Sequence, residues 1–153
     1  MPARPLINKI KADPKKWSEK SQCSVAASFK FEYTDIQYRC WHCQTEAVFS
    51  ALDQKHTFEI KKASINQRRI LCETCWSQSL HLAAELNECV VKWDESKCSL
   101  KIDEIFLSYW LQLLVEQETY VPYRRDSARK NMLRKLLRIV ALSIKTDDVK
   151  DGF

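Results

Sequence analysis

Apolar and polar positions alternate over a short stretch from Val25 to Arg39. Phe29, Phe31 and Tyr33, then Ile36 and Tyr38, step two residues at a time in strand-favouring types. That pattern predicts one strand, or two short ones, running into Cys40. Ala47-Val48-Phe49 supplies a returning strand. Ser50 then stands before Ala51-Leu52-Asp53 as a helix N-cap, and Leu52, His56, Phe58, Glu59 and Ile60 suit a helix of two to three turns, with Lys61-Lys62 at its negative pole. Past Cys75 the period lengthens. Trp76, Leu80, Ala83, Ala84, Val90 and Val91 predict a helix over about 75–93, followed by a polar turn from Asp94 to Lys101. Ile102, Ile105, Phe106, Tyr109, Trp110, Leu113 and Leu114 predict a second helix over about 101–118, which Pro122 stops. Leu133, Leu136, Leu137, Val140, Ala141 and Ile144 predict a third over about 126–145, and residues 146–153 read as a frayed tail. The class is α+β, with a C-terminal three-helix region.

The cysteines join the front elements. Cys40-Trp41-His42-Cys43 and Cys72-Glu73-Thr74-Cys75 are two C-x2-C pairs with 28 residues between them. Each pair offers two sulfurs to one ion, so Cys40, Cys43, Cys72 and Cys75 are the expected metal ligands. Zn²⁺ fits first, because it accepts four thiolates tetrahedrally, and such a closed shell holds structure without performing chemistry. The first pair falls at a hairpin tip and the second at a helix start, where free N–H groups and the helix dipole favour thiolates. A hairpin knuckle plus a short helix in this order is treble-clef-like; a three-stranded zinc ribbon is the other arrangement the pattern allows. The cysteine placement also resembles that of rubredoxins, which implies a minor alternative as an electron carrier. Those proteins usually have Gly after each pair and Pro within the second, where this chain has Gln44, Trp76 and Glu73-Thr74.

Composition narrows the reading. One Gly in 153 residues, at Gly152, excludes Gly-rich phosphate loops and favours helices. The net charge of +5 is unevenly spread: residues 1–20 carry +4, residues 21–120 carry −4 and residues 121–145 carry +7. Residues 1–24 accordingly read as a basic flexible arm, residues 25–76 as the four-cysteine module and residues 77–145 as the helical region, with Trp17 the one arm residue expected to dock. Seven cysteines, an odd number, point to a reducing, cytoplasmic setting. The amino terminus shows no apolar core of signal-sequence length, and the longest charge-free apolar run, Ile105 to Val115, is too short to span a bilayer, so no membrane association is expected.

No nucleophile with its base and no open metal position is legible, so the chain reads as no enzyme, and no small-molecule substrate is evident. His42 and His81 read as knuckle-tip or helix-surface residues, His56 as an interior or flanking side chain of its helix, and Cys23, Cys89 and Cys98 as core or surface thiols. Two binding functions stay open. The wide apolar face of the 101–118 helix, with Phe106, Tyr109 and Trp110 as interface candidates, suits a protein-binding or assembly subunit whose partner is another protein or a second copy of itself. Alternatively, Arg124, Arg125, Arg129, Lys130, Arg134, Lys135 and Arg138 suit nucleic acid, together with the N-terminal lysines.

Residues 38–76 further resemble a bacterial family of proteins grouped as a probable zinc-ribbon domain. The likeness lies in Tyr38-Arg39 before the first pair, Val48-Phe49-Ser50, Asp53-Gln54-Lys55, Phe58-Glu59, Lys61-Lys62, and Arg68-Arg69 before the second pair. It implies the same four cysteine ligands. The family pattern usually has Gly after the helix and Arg after the second pair, where this chain has Lys61-Lys62-Ala63 and Trp76.

Overall fold

The computed structural model describes residues 8–150. The chain divides into two compact units, Met1–Cys72 and Glu73–Phe153.

In the first unit, β1 (Lys9–Lys11) pairs antiparallel with β2 (Glu32–Thr34), setting Ile10 opposite Tyr33. Between them lie a 3-10 turn at Pro14–Lys16, the four-residue helix α1 (Glu19–Gln22) and a second 3-10 turn at Val25–Ser28. The flexible arm expected over residues 1–24 is therefore corrected: residues 1–7 lie outside the described residues, and 9–22 are built into the unit. Trp17 is buried in one core with Ala12, Tyr33, Phe49, Ala51, Phe58 and Ile65. Ile10, Ala12 and Trp17 show no period in the sequence because their partners are far along the chain.

A buried polar chain fastens this segment. The Trp17 indole N–H donates to Tyr33 Oη at 2.7 Å, and Tyr33 Oη donates to Glu59 Oε1 at 3.0 Å. The same carboxylate accepts the Asp13 N–H at 2.8 Å and pairs with Lys55 at 2.9 Å. Burial alone raises the Glu59 pKa, but those N–H, ammonium and hydroxyl donors outweigh it and hold the carboxyl below its ordinary value. The same surroundings push the Tyr33 hydroxyl up to about 12, burial first.

β3 (Ile36–Arg39) and β4 (Glu46–Phe49) form a second antiparallel hairpin. α2 (Ala51–Lys55) follows, with Ser50 Oγ capping the Asp53 N–H at 3.1 Å, and continues as a π-helical turn over His56–Ile60. That wider turn ends a helix whose inward side chains are Gln54, Phe58 and Glu59, while Leu52 and Ile60 point to solvent. The Gln54 amide donates to the Thr34 and Phe49 carbonyls, joining both hairpins to the helix.

The second unit holds α3 (Glu73–Leu100), α4 (Glu104–Tyr120) and α5 (Ser127–Lys150). α4 packs against both of the others. The polar turn expected over 94–101 is instead helical to Leu100, with a kink at Ser96 (φ −133°), because no Gly or Pro interrupts the backbone before Asp103 caps α4. Likewise α5 continues through residues 146–150, where a frayed tail was expected, and residues 151–153 lie outside the described residues. The buried row of α3 is Cys75, Leu82, Leu86, Cys89 and Trp93, not the row the apolar period suggested. On α4 the buried positions are Leu107, Trp110, Leu113, Leu114 and Tyr120, while Ile105, and Ile102 in the turn before the helix, stand 83% and 76% exposed.

Candidate metal centre

The β3–β4 register sets Arg39 opposite Glu46, which leaves Cys40–Thr45 as the hairpin tip. Within it the Cys40 N–H bonds the Thr45 carbonyl at 2.9 Å and the Gln44 N–H bonds the Cys40 carbonyl at 3.0 Å. Gln44 takes a left-handed φ of 62°, the conformation glycine adopts without steric cost. A missing Gly after the first pair therefore does not prevent a knuckle. Its side-chain amide donates to the Trp41 carbonyl at 2.9 Å, helping to hold the turn.

The second pair is drawn to this tip by backbone contacts. The Trp41 N–H bonds the Ile70 carbonyl at 2.7 Å, and the Tyr38 hydroxyl donates to the Leu71 carbonyl at 2.8 Å. Arg69 lies 3.9 Å above the Phe49 ring. Cys72 ends that stretch, and Cys75 sits on the first turn of α3.

All four Sγ atoms lie within 4.8 Å of one another, and Cys43 and Cys72 approach to 3.7 Å. An ion with bonds of about 2.3 Å to four sulfurs at tetrahedral angles spaces them about 3.8 Å apart. The donor set and its spacing thus fit a tetrahedral metal ion. No two cysteine sulfurs are bonded to each other.

The surroundings favour thiolates. Burial pushes the Cys40 thiol up, but backbone N–H groups of Cys43, Cys72 and His42 point at its sulfur, and with the Cys43 side chain they bring its pKa from 9.0 to about 6. The Thr45 hydroxyl and N–H lower the Cys43 thiol. A sign follows. Relative to an unfolded chain, the Cys40 thiolate contributes stability that is fully present above pH 9 and is lost as pH falls through about 6. Bound metal is expected to stay on the protein at neutral pH and to be released, with proton uptake, as the solution is acidified from about pH 7 to about pH 5. A chromogenic chelator follows the release; unchanged retention at low pH would contradict it.

Residues 34–81 match the family described as a probable treble clef domain. The order of parts agrees: the knuckle hairpin supplies the first pair and the start of α3 supplies the second. This treble clef spans about a third of the chain. No curated protein and no solved structure matches the chain.

The remaining candidates fall elsewhere. No histidine belongs to the treble clef's sulfur cluster; His42 is half-buried, and His56 and His81 are exposed on helices. Cys23 and Cys98 are exposed and Cys89 is buried, outside the cluster. Trp110 is corrected from an interface candidate to a core residue, 1% exposed and packed between Trp93 and Phe106, because α4 is covered on that side. Phe106 is half-buried against it, and Tyr109 remains exposed. Of the basic residues, Arg129 pairs with Asp126 at 3.3 Å and Lys130 with Glu118. Arg124, Arg125, Arg134, Lys135 and Arg138 are exposed. Thr45 and Gln44 are the site residues that sequence reasoning missed; a hydroxyl two positions past a C-x2-C pair was the available signal for the first.

Proposed function

We propose that the chain is a non-catalytic, zinc-stabilised interaction module that acts as a protein-binding or assembly subunit, its partner another protein or a second copy of itself. Zinc is the ion assigned to the four thiolates because it accepts an all-sulfur tetrahedron, needs no redox partner, and leaves no coordination position for a substrate. An iron-loaded electron carrier would use the same sulfurs, and metal analysis separates the two. The free thiols suit a reducing, cytoplasmic setting. Among the described residues no helix is long and apolar enough to cross a membrane.

One observation carries the binding role. α3 has two apolar rows: the first is buried, and the second presents Trp76 and Leu80, each 52% exposed, with Val91 further along. A helix that serves only a core keeps one apolar face. A second row rich in aromatic and aliphatic side chains is what a partner surface needs. The exposed Ile105 and Tyr109 of α4 add to that surface.

Sedimentation of the metal-loaded chain tests this. The 18.0 kDa chain is expected to sediment as an oligomer, or with a copurified partner, and the double substitution Trp76→Ser, Leu80→Glu is expected to yield a folded monomer. A second reading, nucleic-acid binding, draws on the five exposed cations from Arg124 to Arg138. A monomer retained on generic RNA or DNA at about 50 mM salt and released steeply as salt rises would favour it instead.

A further inference from the structure

Inside the helical unit, a cleft of about 540 Å³ opens between α3, α4 and the segment that joins α4 to α5. Its floor is apolar, formed by Leu86 and Val90 of α3 and Leu114 of α4. Its rim is cationic, with Arg124, Arg125 and Arg129. The three arginines are not equivalent. Arg129 is paired with Asp126 at 3.3 Å and lies 5.4 Å from the Trp110 ring centre, so its charge is answered and its position fixed. The ion pairs of this segment use Arg129 and Lys130, and leave Arg124 and Arg125 exposed. The cleft therefore joins an apolar floor to two cations in excess.

We propose that this cleft is the docking site for an acidic peptide segment of a partner protein, one that inserts an apolar side chain between α3 and α4 and sets flanking carboxylates on Arg124 and Arg125. The inference rests on the protein-binding reading and names the chemistry of the partner. Charge complementarity selects the acid: guanidinium groups bind carboxylates bidentately, and an apolar floor adds affinity only for a ligand that has an apolar group to bury. The side-chain amides of Asn87 and Gln117 also line the cleft and can bond a peptide backbone. A nucleic-acid strand suits it less well. A phosphate chain follows a row of cations, whereas here the cations sit at one rim, a carboxylate (Asp126) stands among them, and the lining offers a single aromatic ring, Tyr123, beside a floor of aliphatic groups.

Fluorescence anisotropy with the full metal-loaded chain tests the proposal, using a labelled peptide in which a Leu-Phe pair is flanked on both sides by Glu residues. Controls are the same peptide with Lys for Glu and a generic single-stranded RNA. The acidic peptide is expected to bind and the Lys peptide not to. The double substitution Arg124→Glu, Arg125→Glu is expected to weaken binding at least tenfold, while Arg134→Glu, Lys135→Glu, outside the cleft lining, leaves it within twofold. Circular dichroism verifies that both variants are folded. Absence of peptide binding, equal binding of the Lys peptide, or indifference to the Arg124 and Arg125 changes overturns the proposal. If the peptide fails while Trp76 and Leu80 still mediate association, the cleft assignment falls and the protein-binding reading stands. If RNA alone binds and the chain is a monomer, both fall.

Discussion

Replacing Cys40 by serine is expected to abolish stoichiometric metal binding and to unfold the treble clef. Cys40 is fully buried, its sulfur is the target of three backbone N–H groups, and it is one of only four donors. A structural zinc site contributes about 10–16 kcal/mol of apparent binding free energy near neutral pH, as much as the whole stability of a typical domain. With one thiolate gone, the hairpin is held against the 70–72 stretch by isolated hydrogen bonds, such as Trp41 N–H to the Ile70 carbonyl and the Tyr38 hydroxyl to the Leu71 carbonyl. Amide hydrogen exchange should then lose protection across Ile36–Phe49 and 70–75. Cys23→Ser and Cys98→Ser are the matched controls: both residues are exposed and outside the cluster, so stability should stay within about 0.5 kcal/mol. Full protection in Cys40→Ser would mean that the sulfurs hold nothing together.

The second large effect is expected at Glu59. Truncation to alanine removes the acceptor shared by the Asp13 N–H and the Tyr33 hydroxyl and the partner of Lys55, in a site where Glu59 is only 2% exposed. Each orphaned buried donor costs about 1–3 kcal/mol, and breaking a buried ion pair by deleting one member costs about 3–5 kcal/mol. Lys55, partly exposed, regains water, so a total near 3–5 kcal/mol is expected, measured as a lower urea midpoint for the first unit. Residues 9–17 should detach first, since Glu59 and Tyr33 fasten them, and Trp17 fluorescence should shift to that of a solvated indole. The surface pair Lys9–Glu32 gives the contrast: Glu32→Ala should cost no more than about 1 kcal/mol.

What the sequence disclosed and what it hid follow one rule. Features set by neighbours along the chain were legible. The two C-x2-C pairs, the Ser50 cap, the hairpin from Ile36 to Phe49 and the stop before Pro122 are each determined within a few residues. Features set by distant partners were not. Ile10, Ala12 and Trp17 lie in a lysine-rich stretch and become core only because Tyr33 and Glu59 meet them. On α3 two apolar rows compete in the periodicity, and packing against α4 selects the row with Leu82, Leu86 and Trp93. Trp110 and Tyr109 are adjacent and equally aromatic, yet one is core and the other surface. The basic run from Arg124 to Arg138 could not reveal that Arg129 and Lys130 answer Asp126 and Glu118, because those pairings depend on how the α4–α5 connection turns.

Elemental analysis combined with X-ray absorption at the metal edge, on chain purified without added metal, tests the central claim most directly. The expected result is one zinc per chain with four sulfur neighbours at about 2.3 Å. Absence of metal, a shell containing nitrogen or oxygen donors, iron in place of zinc, or a disulfide within either C-x2-C pair would contradict it.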